Sequence, residues 1–254
     1  MSQTALASDS AIAGPELDKS NERIRKMFGS IAPYYDLLNH LLSLNIDKRW
    51  RAQAVKLVPP QLDAGPVLDL CTGSGDLALA YHRAGQGKVP IIGADFCGPL
   101  LDRAVKKSRK VEKEGKLPIR YMQADAQRLP FVDNLFQIVS VAFGLRNVAD
   151  TDRGLAEMTR VCKPGGKVVV LEFSKPRVKV LDKLYLWYFR SVLPRVGQWF
   201  SKSPDAAYKY LPASVLAFPD YEALCDKMRA QGLVDVSFHP LTFGVATIYQ
   251  GRKL

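Results

Sequence analysis

The fold of this chain is decided by the stretch VLDLCTGSGD, which covers residues 67–76. Its apolar half predicts a buried β-strand. Its two glycines predict a sharp turn that lets the backbone approach a ligand closely. A helix is expected to begin directly after the turn. A strand, a glycine loop and a helix in this order are typical of the first unit of a nucleotide-binding α/β domain.

Short apolar runs alternate with amphipathic stretches on both sides of this unit. Alternation of this kind predicts a parallel sheet covered by helices on both faces. The predicted helices include 35–50, 99–114, 152–162 and 219–231. The predicted strands are 67–71, 91–96, 119–124, 136–143 and 167–173, followed by two closing strands at 234–241 and 245–251.

Length and composition favour a single domain. The chain has 254 residues, of which 47% are hydrophobic, and this supplies one large core. We expect a disordered lead-in over 1–20 and one domain over 21–254. Within that domain we expect a helical cap over 21–58. A lid-like insertion is predicted over 175–218, where the alternation stops.

The charge and the cysteines restrict the class of protein. A net charge of +11 suits nucleic acid, anionic lipid or acidic partners, but also an ordinary basic protein. The four cysteines lie far apart and form no zinc-binding pattern, so no metal site is expected. No apolar run approaches the ~20 residues that span a bilayer, and no secretory signal is evident. We therefore expect a cytoplasmic location.

The glycine loop alone fits two kinds of cofactor. The segment GSGDLA matches the dinucleotide pattern, and Asp95 lies 22 residues after Gly73, where a ribose-binding acid is expected. However, Asp69 and Asp76 flank the loop. Two carboxylates there would repel a pyrophosphate, whereas they suit the positively charged S-adenosyl-L-methionine. Asp76 could also be only a favourable charge at a helix N-terminus.

A second pair of residues also favours S-adenosyl-L-methionine. Asp125 follows the third predicted strand and can accept a hydrogen bond from an adenine amino group, while the small Ala126 leaves space beside the ring. An Asx cap at Asp125 is the alternative. Asp95 can accept bonds from both ribose hydroxyls, and Phe96 can pack against adenine. All of these residues lie at the carboxyl ends of strands, where open parallel sheets bind ligands.

Longer segments resemble a known family. Four segments look like successive motifs of class I S-adenosylmethionine-dependent methyltransferases, which have a Rossmann-like, mostly parallel seven-stranded sheet: VLDLCTGSGD, GADF, LPFVDNLFQIVSVAFGLRNVAD and MTRVCKPGGKVVVLEFSKP. A narrower resemblance, to the ubiquinone/menaquinone biosynthesis C-methyltransferases, is carried by FGLRNV, KPGG, LEFSKP, FGSIAPYYDLLNHLLSLNIDKRWR and LTFGVATIYQGRKL. The likeness covers roughly residues 22–254.

The resemblance implies transfer of a methyl group to demethylmenaquinol, which yields menaquinol. It also implies contacts between the donor and Ser74, Asp95, Asp125 and Ala126. Some relatives have serine where this chain has Ala142, so one contact with the donor could be missing. The complete predicted donor site consists of Asp69, Thr72, Gly73, Ser74, Gly75, Asp95, Phe96, Asp125, Ala126 and Ala142.

The catalytic residues are predicted from the chemistry of the acceptor. A ring carbon is nucleophilic enough only in the reduced, partly ionised hydroquinone. Arg146 stays charged, so its expected role is to stabilise the forming phenolate, with Asn147 orienting the same oxygen. An ordinary surface salt bridge is the alternative for Arg146. Tyr35 and Asp36 are the favoured candidates for the general base, ahead of His40 and His239.

The remaining predictions concern partners. Basic and aromatic residues mix over 177–202, which suits a membrane-facing lid or a helix packed on the core. A prenylated quinol favours peripheral contact with an anionic membrane at its inner face. We expect no nucleic-acid partner, since AFGLRN replaces the Pro-Pro-aromatic segment of many nucleic-acid methyltransferases. Four alternatives stay open: a benzoquinol acceptor of the ubiquinone pathway, a nucleic-acid methyltransferase, an NAD-dependent enzyme and a non-catalytic binding module. A homodimer is a further candidate partner.

Overall fold

The computed structural model describes residues 19–110, 115–177 and 205–254. Its seven strands are β1 (Val67–Leu70), β2 (Ile91–Asp95), β3 (Arg120–Gln123), β4 (Phe136–Ala142), β5 (Cys162–Phe173), β6 (Leu233–Leu241) and β7 (Ala246–Lys253). They form one sheet in the order β3-β2-β1-β4-β5-β7-β6. Each of these strands overlaps a strand predicted from the sequence.

All strands of the sheet run parallel except β7. β1 pairs in parallel with β2 and β4, whereas β7 pairs antiparallel with both β5 and β6. This confirms the predicted mostly parallel sheet. β5 begins at Cys162 and not at residue 167, because Phe136 of β4 already pairs with Cys162 ahead of an irregularity in the register.

Helices cover both faces of the sheet. They are α1 (Asn21–Ile31), α2 (Tyr35–Leu42), α3 (Ile46–Leu57), α4 (Asp76–Ala84), α5 (Gly98–Arg109), α6 (Thr151–Val161), α7 (Asp205–Ala217) and α8 (Glu222–Ala230). Alternate residues of a strand point to opposite faces. Accordingly, the neighbouring β4 residues Ile138 and Val139 belong to two different hydrophobic clusters. Ile138 packs on one face with residues of α3 and α4, and Val139 packs on the other face with residues of α6 and α8.

Two predicted helices differ from the structure. The predicted helix 35–50 is interrupted between α2 and α3, because Leu44 and Asn45 adopt left-handed backbone angles with φ of 52° and 60°. Helix α8 begins at Glu222 and not at residue 219. Tyr221, with φ of 50°, is held outside the helix because its backbone N–H donates to the Tyr249 hydroxyl, 2.8 Å away.

Several predicted segments lie wholly or partly outside the described residues. Of the lead-in 1–20 only residues 19 and 20 are described, and of the basic and aromatic stretch 177–202 only Arg177 is described. Within the predicted insertion 175–218, the described part includes α7. None of the helices in the described ranges combines the length and the apolar character that crossing a membrane requires.

Candidate active site

The glycine loop between β1 and α4 takes the conformation that its sequence predicts. Cys71, Gly73 and Gly75 have positive φ angles of 48°, 56° and 85°, so the chain turns sharply after β1. A Cβ atom on Gly73 would lie 3.3 Å from the Tyr35 hydroxyl oxygen. A glycine at this position therefore also allows helix α2 to approach the loop.

Asp95 fixes the loop from the end of β2. One carboxylate oxygen accepts a hydrogen bond from the Gly73 N–H at 2.7 Å, and the other accepts from the Cys97 N–H at 2.8 Å. Burial raises the pKa of Asp95, although the bonds from these backbone groups act in the opposite direction. Each oxygen keeps a second lone pair, so the carboxylate can also accept bonds from a ligand.

The larger of two neighbouring clefts encloses about 720 Å³, including its open mouth. It lies at the carboxyl ends of β1, β2 and β4, and helix α1 forms one wall through Ile24 and Phe28. The structure brings five of the predicted donor residues, together with Asn147, to this cleft. These five are Gly73, Asp95, Phe96, Asp125 and Ala126.

The smaller cleft encloses about 280 Å³ and shares Cys71 and Tyr35 with the larger one. Four further predicted donor residues line it, namely Asp69, Thr72, Ser74 and Ala142. Arg51 and Asp76 lie in its wall as well. The two clefts therefore form one elongated site, with a larger, mainly apolar part and a smaller, mainly polar part.

Asp125 and Gly75 both have local structural roles. An Asp125 carboxylate oxygen accepts a bond from the Gln127 N–H at 2.9 Å, so the predicted Asx turn is present in addition to its position in the cleft. Gly75 is the predicted donor residue that lines neither of the two clefts. Its φ of 85° favours glycine, and a Cβ atom there would lie 3.1 Å from the Ala104 Cβ atom of α5, so local geometry accounts for a glycine at position 75.

The two acids that flank the glycine loop, Asp69 and Asp76, would repel a pyrophosphate less strongly than the sequence suggested. Burial raises the pKa of Asp69 to about 7. The Asp69 carboxylate accepts bonds from the Thr72 hydroxyl at 2.6 Å and the Ala78 N–H at 3.1 Å, so it supports the loop from below. Asp76 is paired with Lys107 at 2.8 Å. The expected pair of bare carboxylates at the loop is therefore not what the structure contains.

Lys107 joins the loop to the N-terminal helices in a group of side chains that we call the latch. The latch consists of Asp36, Ser74, Asp76 and Lys107. The Asp36 carboxylate accepts a short hydrogen bond from the Ser74 hydroxyl and pairs with the Lys107 ammonium at 2.9 Å. His40 extends the group, since its ring nitrogens lie 2.9 Å from Asp47 and 3.8 Å from Asp76.

The surroundings of Asp36 and Tyr35 disfavour both as general bases. Burial alone would raise the pKa of Asp36, but the hydrogen bonds from Ser74 and Lys107 outweigh it and leave the pKa below its ordinary value. Burial and the nearby Asp95 raise the pKa of Tyr35 to about 12. At neutral pH Tyr35 is therefore a phenol, which donates a hydrogen bond and cannot take up a proton as a tyrosinate.

Arg146 lies in a short 3₁₀ turn, Leu145–Asn147, directly beyond β4. The predicted alternative of a surface salt bridge is wrong, because Arg146 pairs with Glu172 in the interior at 2.9 Å, with side-chain exposures of 7% and 1%. The guanidinium also lies over the Phe173 ring, 5.3 Å from its centroid. Arg146 Nε and Asn147 Oδ1 are buried and have no hydrogen-bond partner among the described residues.

Three residues near the site were not identified from the sequence. Glu172 belongs to the LEFSKP segment, but nothing in the sequence shows that it faces Arg146. Lys19 lies within reach of both charges, and its pKa is lowered by burial and by Arg146, while Glu172 acts in the opposite direction. The Cys71 thiol faces the cleft, and burial raises its pKa, so it stays protonated.

His239, the other histidine considered as a general base, is exposed on β6, the edge strand far from the cleft.

Comparison with known sequences gives a consistent result. The model of the ubiE/COQ5 methyltransferase family matches residues 16–253. A Thermus thermophilus protein named demethylmenaquinone methyltransferase is 48% identical over 229 residues, which cover 89% of this chain and 100% of that protein. The ubiquinone/menaquinone biosynthesis C-methyltransferase UbiE of Geobacter sulfurreducens is 44% identical over 245 residues, covering 96% and 94% of the two chains.

Solved structures support the same fold. A SAM-dependent methyltransferase from Thermotoga maritima superimposes with a TM-score of 0.65 at 18% identity, covering 91% of this chain and 100% of that one. A Haemonchus contortus phosphoethanolamine N-methyltransferase in complex with S-adenosyl-L-methionine gives a TM-score of 0.59 at 15% identity, with 81% and 52% covered. At these identities the likeness extends to the fold alone.

Proposed function

This chain belongs to the ubiE/COQ5 methyltransferase family, and on that premise we propose that it methylates a ring carbon of demethylmenaquinol. Family membership makes it an S-adenosylmethionine-dependent C-methyltransferase of quinone biosynthesis. The choice of acceptor depends on one observation: a relative 48% identical, matched over 100% of its length, is named demethylmenaquinone methyltransferase. A benzoquinol is the second candidate, because other relatives are named for both ubiquinone and menaquinone biosynthesis.

We assign the nucleoside part of S-adenosyl-L-methionine to the larger cleft. The Asp95 carboxylate has lone pairs left after its bonds to Gly73 and Cys97, and these can accept from ribose hydroxyls. Phe96, Asp125 and Ala126 line the same cleft and would hold adenine. The methionine part would occupy the smaller cleft, whose polar wall includes Thr72 and Ser74.

The smaller cleft has hydrogen-bonding groups for both ends of an amino acid. Its wall contains the Arg51 guanidinium, which pairs with Asp47 and can also donate to a carboxylate. It also contains Asp69 and the Lys107-paired Asp76, whose carboxyl oxygens can accept from an ammonium group. Ala142 provides a methyl group where some relatives have a hydroxyl. We therefore expect donor binding to depend on Thr72, Ser74 and the acids, with no contribution of a hydrogen bond from position 142.

When bound, S-adenosyl-L-methionine supplies a methyl group attached to positively charged sulfur. The acceptor carbon would form its bond to that methyl carbon as the methyl–sulfur bond breaks, which leaves S-adenosylhomocysteine, and the proton of the ring carbon would then pass to water. Arg146 would stabilise the acceptor oxyanion, since its charge is fixed at any relevant pH. The buried Oδ1 of Asn147 would accept a hydrogen bond from a hydroxyl group of the quinol substrate.

Tyr35 and Asp36 take different roles in this proposal from those that the sequence suggested. Tyr35 stays a phenol at neutral pH and would donate a hydrogen bond at the junction of the two clefts. Asp36 would hold α2 against the glycine loop through Ser74 and Lys107. Positioning and stabilisation of the phenolate would then supply most of the rate enhancement.

We also propose peripheral contact with an anionic membrane, because a prenylated acceptor resides in the bilayer and the chain carries a net charge of +11. The basic and aromatic stretch 177–202 would contribute to it. The protein should bind vesicles that contain phosphatidylglycerol but not neutral vesicles. Its binding to the phosphatidylglycerol vesicles should weaken as the salt concentration increases. A homodimer stays a prediction, which the mass measured by light scattering would test.

The quinone profile of cells tests the acceptor. Cells that lack this protein should accumulate demethylmenaquinone, and expression of the intact chain should restore menaquinone. Accumulation of an unmethylated benzoquinol precursor would favour the second candidate. An unchanged profile of both quinones would contradict the proposed function.

A further inference from the structure

Glu172, the penultimate residue of β5, makes all of its described hydrogen bonds to only two neighbouring residues. Its Oε1 accepts from the Arg146 backbone N–H and from Nη1, both at 3.2 Å. Its Oε2 accepts from Arg146 Nη1 at 2.9 Å and from the Phe173 N–H at 3.0 Å. One buried carboxylate therefore holds both the backbone and the side chain of Arg146.

The guanidinium of Arg146 is held at one end only. Nη1 carries the two bonds to Glu172 and a third to the Phe143 carbonyl oxygen. Within residues 19–110, 115–177 and 205–254, Nε has no partner, and none of the hydrogen bonds uses Nη2. In the planar guanidinium, Nε–H and one N–H of Nη2 point in the same direction and form a two-pronged edge. That edge is the part of Arg146 that no described residue contacts through a hydrogen bond.

The segment that carries Arg146 borders the larger cleft. Phe143, Gly144 and Asn147 flank Arg146 in sequence and line that cleft, whereas Arg146 itself is not among the residues that line it. Asn147 places a second unpartnered buried atom, the acceptor Oδ1, next to the donor Nε in the chain. Buried polar atoms are almost always paired, so two orphans on adjacent residues point to a ligand that completes them.

We propose that Glu172 is a positioning residue, which fixes the Nη1 end of Arg146 so that the Nε and Nη2 edge is presented to the acceptor oxygen. The assignment rests on the proposed function, because it needs an acceptor whose oxygen becomes negative. A second consequence is that the Glu172 carboxylate pairs with the guanidinium before the acceptor binds, so a flat apolar ring does not meet an unpaired guanidinium.

A double-mutant cycle on full-length protein tests the assignment. The variants are Glu172→Gln, Arg146→Ala and the two combined, each assayed with reduced demethylmenaquinone and S-adenosyl-L-methionine. In E172Q an amide N–H₂ replaces Oε2 and faces two donors, so the guanidinium loses its orientation, and kcat should fall about 100-fold. The affinity for S-adenosylhomocysteine, measured by calorimetry, should change less than about twofold. The double variant should be no slower than R146A, within about threefold.

Two further variants separate positioning from folding. Leaving Arg146 charged without its partner is destabilising, so Glu172→Asp provides a variant that keeps the charge but withdraws the carboxylate by one methylene. Its kcat should lie between those of wild type and E172Q. Ser174→Ala is the matched control, because Ser174 is equally buried on the same chain segment but bonds Gly244 and Thr247 instead. Its kcat should stay close to that of wild type.

The outcomes that overturn the assignment differ from those that overturn the proposed function. If E172Q slows the wild-type and R146A backgrounds by the same factor, or weakens binding of S-adenosylhomocysteine as much as turnover, Glu172 has only a structural role. If the wild-type protein does not methylate demethylmenaquinol at all, the proposed function fails and this assignment fails with it.

Discussion

The Asp95 carboxylate, at the end of β2, accepts a 2.7 Å hydrogen bond from the backbone N–H of Gly73, in the loop that follows β1. Neighbouring strands therefore meet through one side chain at the centre of the cleft. The second oxygen holds the Cys97 N–H, which leads into α5. A residue that the sequence identified only as a ligand for ribose thus also shapes the loop around the donor.

Asp95→Asn should weaken donor binding about 10- to 100-fold. The amide has an N–H₂ group where a backbone N–H now donates, and each lost hydrogen bond to a charged group is worth about 1.5–3 kcal/mol. Calorimetric titration with S-adenosylhomocysteine measures the effect. Asp102→Asn, an exposed acid on α5, is the matched control and should bind normally. Unchanged affinity in D95N would remove Asp95 from the donor site.

The substitution Asp36→Asn should show whether Asp36 acts as part of the latch or as a general base. If Asp36 only holds α2 against the loop, the substitution loses a partly exposed ion pair worth about 1 kcal/mol. Donor affinity then falls about fivefold, and kcat changes little. Loss of a general base would instead lower kcat by about 100-fold or more at unchanged donor affinity.

Lys107→Met gives an independent test of the same latch. It removes the cation that pairs with both Asp36 and Asp76, so its donor affinity should fall by a factor similar to that of D36N. Lys106→Met, at the neighbouring exposed position of α5, serves as the control. Equal effects of K106M and K107M would show that only the overall charge of the helix matters.

Gly144→Ala should destabilise the protein through contact with Cys71. A Cβ atom at position 144 would lie 2.3 Å from the Cys71 Cβ atom, which forces the loop or the turn after β4 to move. We expect a loss of about 1–3 kcal/mol in the free energy of unfolding, measured by urea denaturation. Cys71→Gly in the same chain removes the collision and should restore most of the loss. Gly29→Ala, where none of the described residues lies within 4 Å of the added Cβ atom, should not destabilise.

Asp69 should make the stability of the protein fall as pH rises from about 4 to 7. Its pKa in the folded protein is raised to about 7 by burial, so the folded state holds a proton that the unfolded state has already lost in this range. The stabilisation is complete below the unfolded pKa and is lost as pH rises through the folded one. Asp69→Asn should flatten this part of the profile of thermal midpoint against pH. An identical slope in D69N and wild type would contradict it.

Much of the fold is predictable from the sequence, because the strands are short apolar runs separated by clear turns. The breaks in the helical cap are less predictable. Leu44 carries no sequence signal for the left-handed conformation that it adopts with Asn45. Similarly, Pro219 marks a plausible helix start, but Tyr221 is held outside α8 by Tyr249, which is distant in sequence. Tertiary contacts of this kind override local preferences.

In the candidate site, too, residue types are predictable from the sequence and tertiary contacts are not. Nine of the ten predicted donor-binding residues line the two clefts. The hydrogen-bond and ion-pair partners of the charged residues at the site could not be predicted. The sequence does not show that Lys107 pairs with Asp36 and Asp76, or that Glu172 faces Arg146, since these pairs form only when distant segments meet. Consequently, the predicted bases were chosen without knowledge of the groups that shift their pKa values.

Methylation of a reduced quinone on a ring carbon can be measured with the purified protein, demethylmenaquinone, a chemical reductant and S-adenosyl-L-methionine that carries a deuterated methyl group. We expect menaquinone with the deuterated methyl on the ring carbon, formed only when the reductant is present. Absence of methyl transfer, methylation on oxygen, or equal transfer to the oxidised quinone would rule out the proposed function.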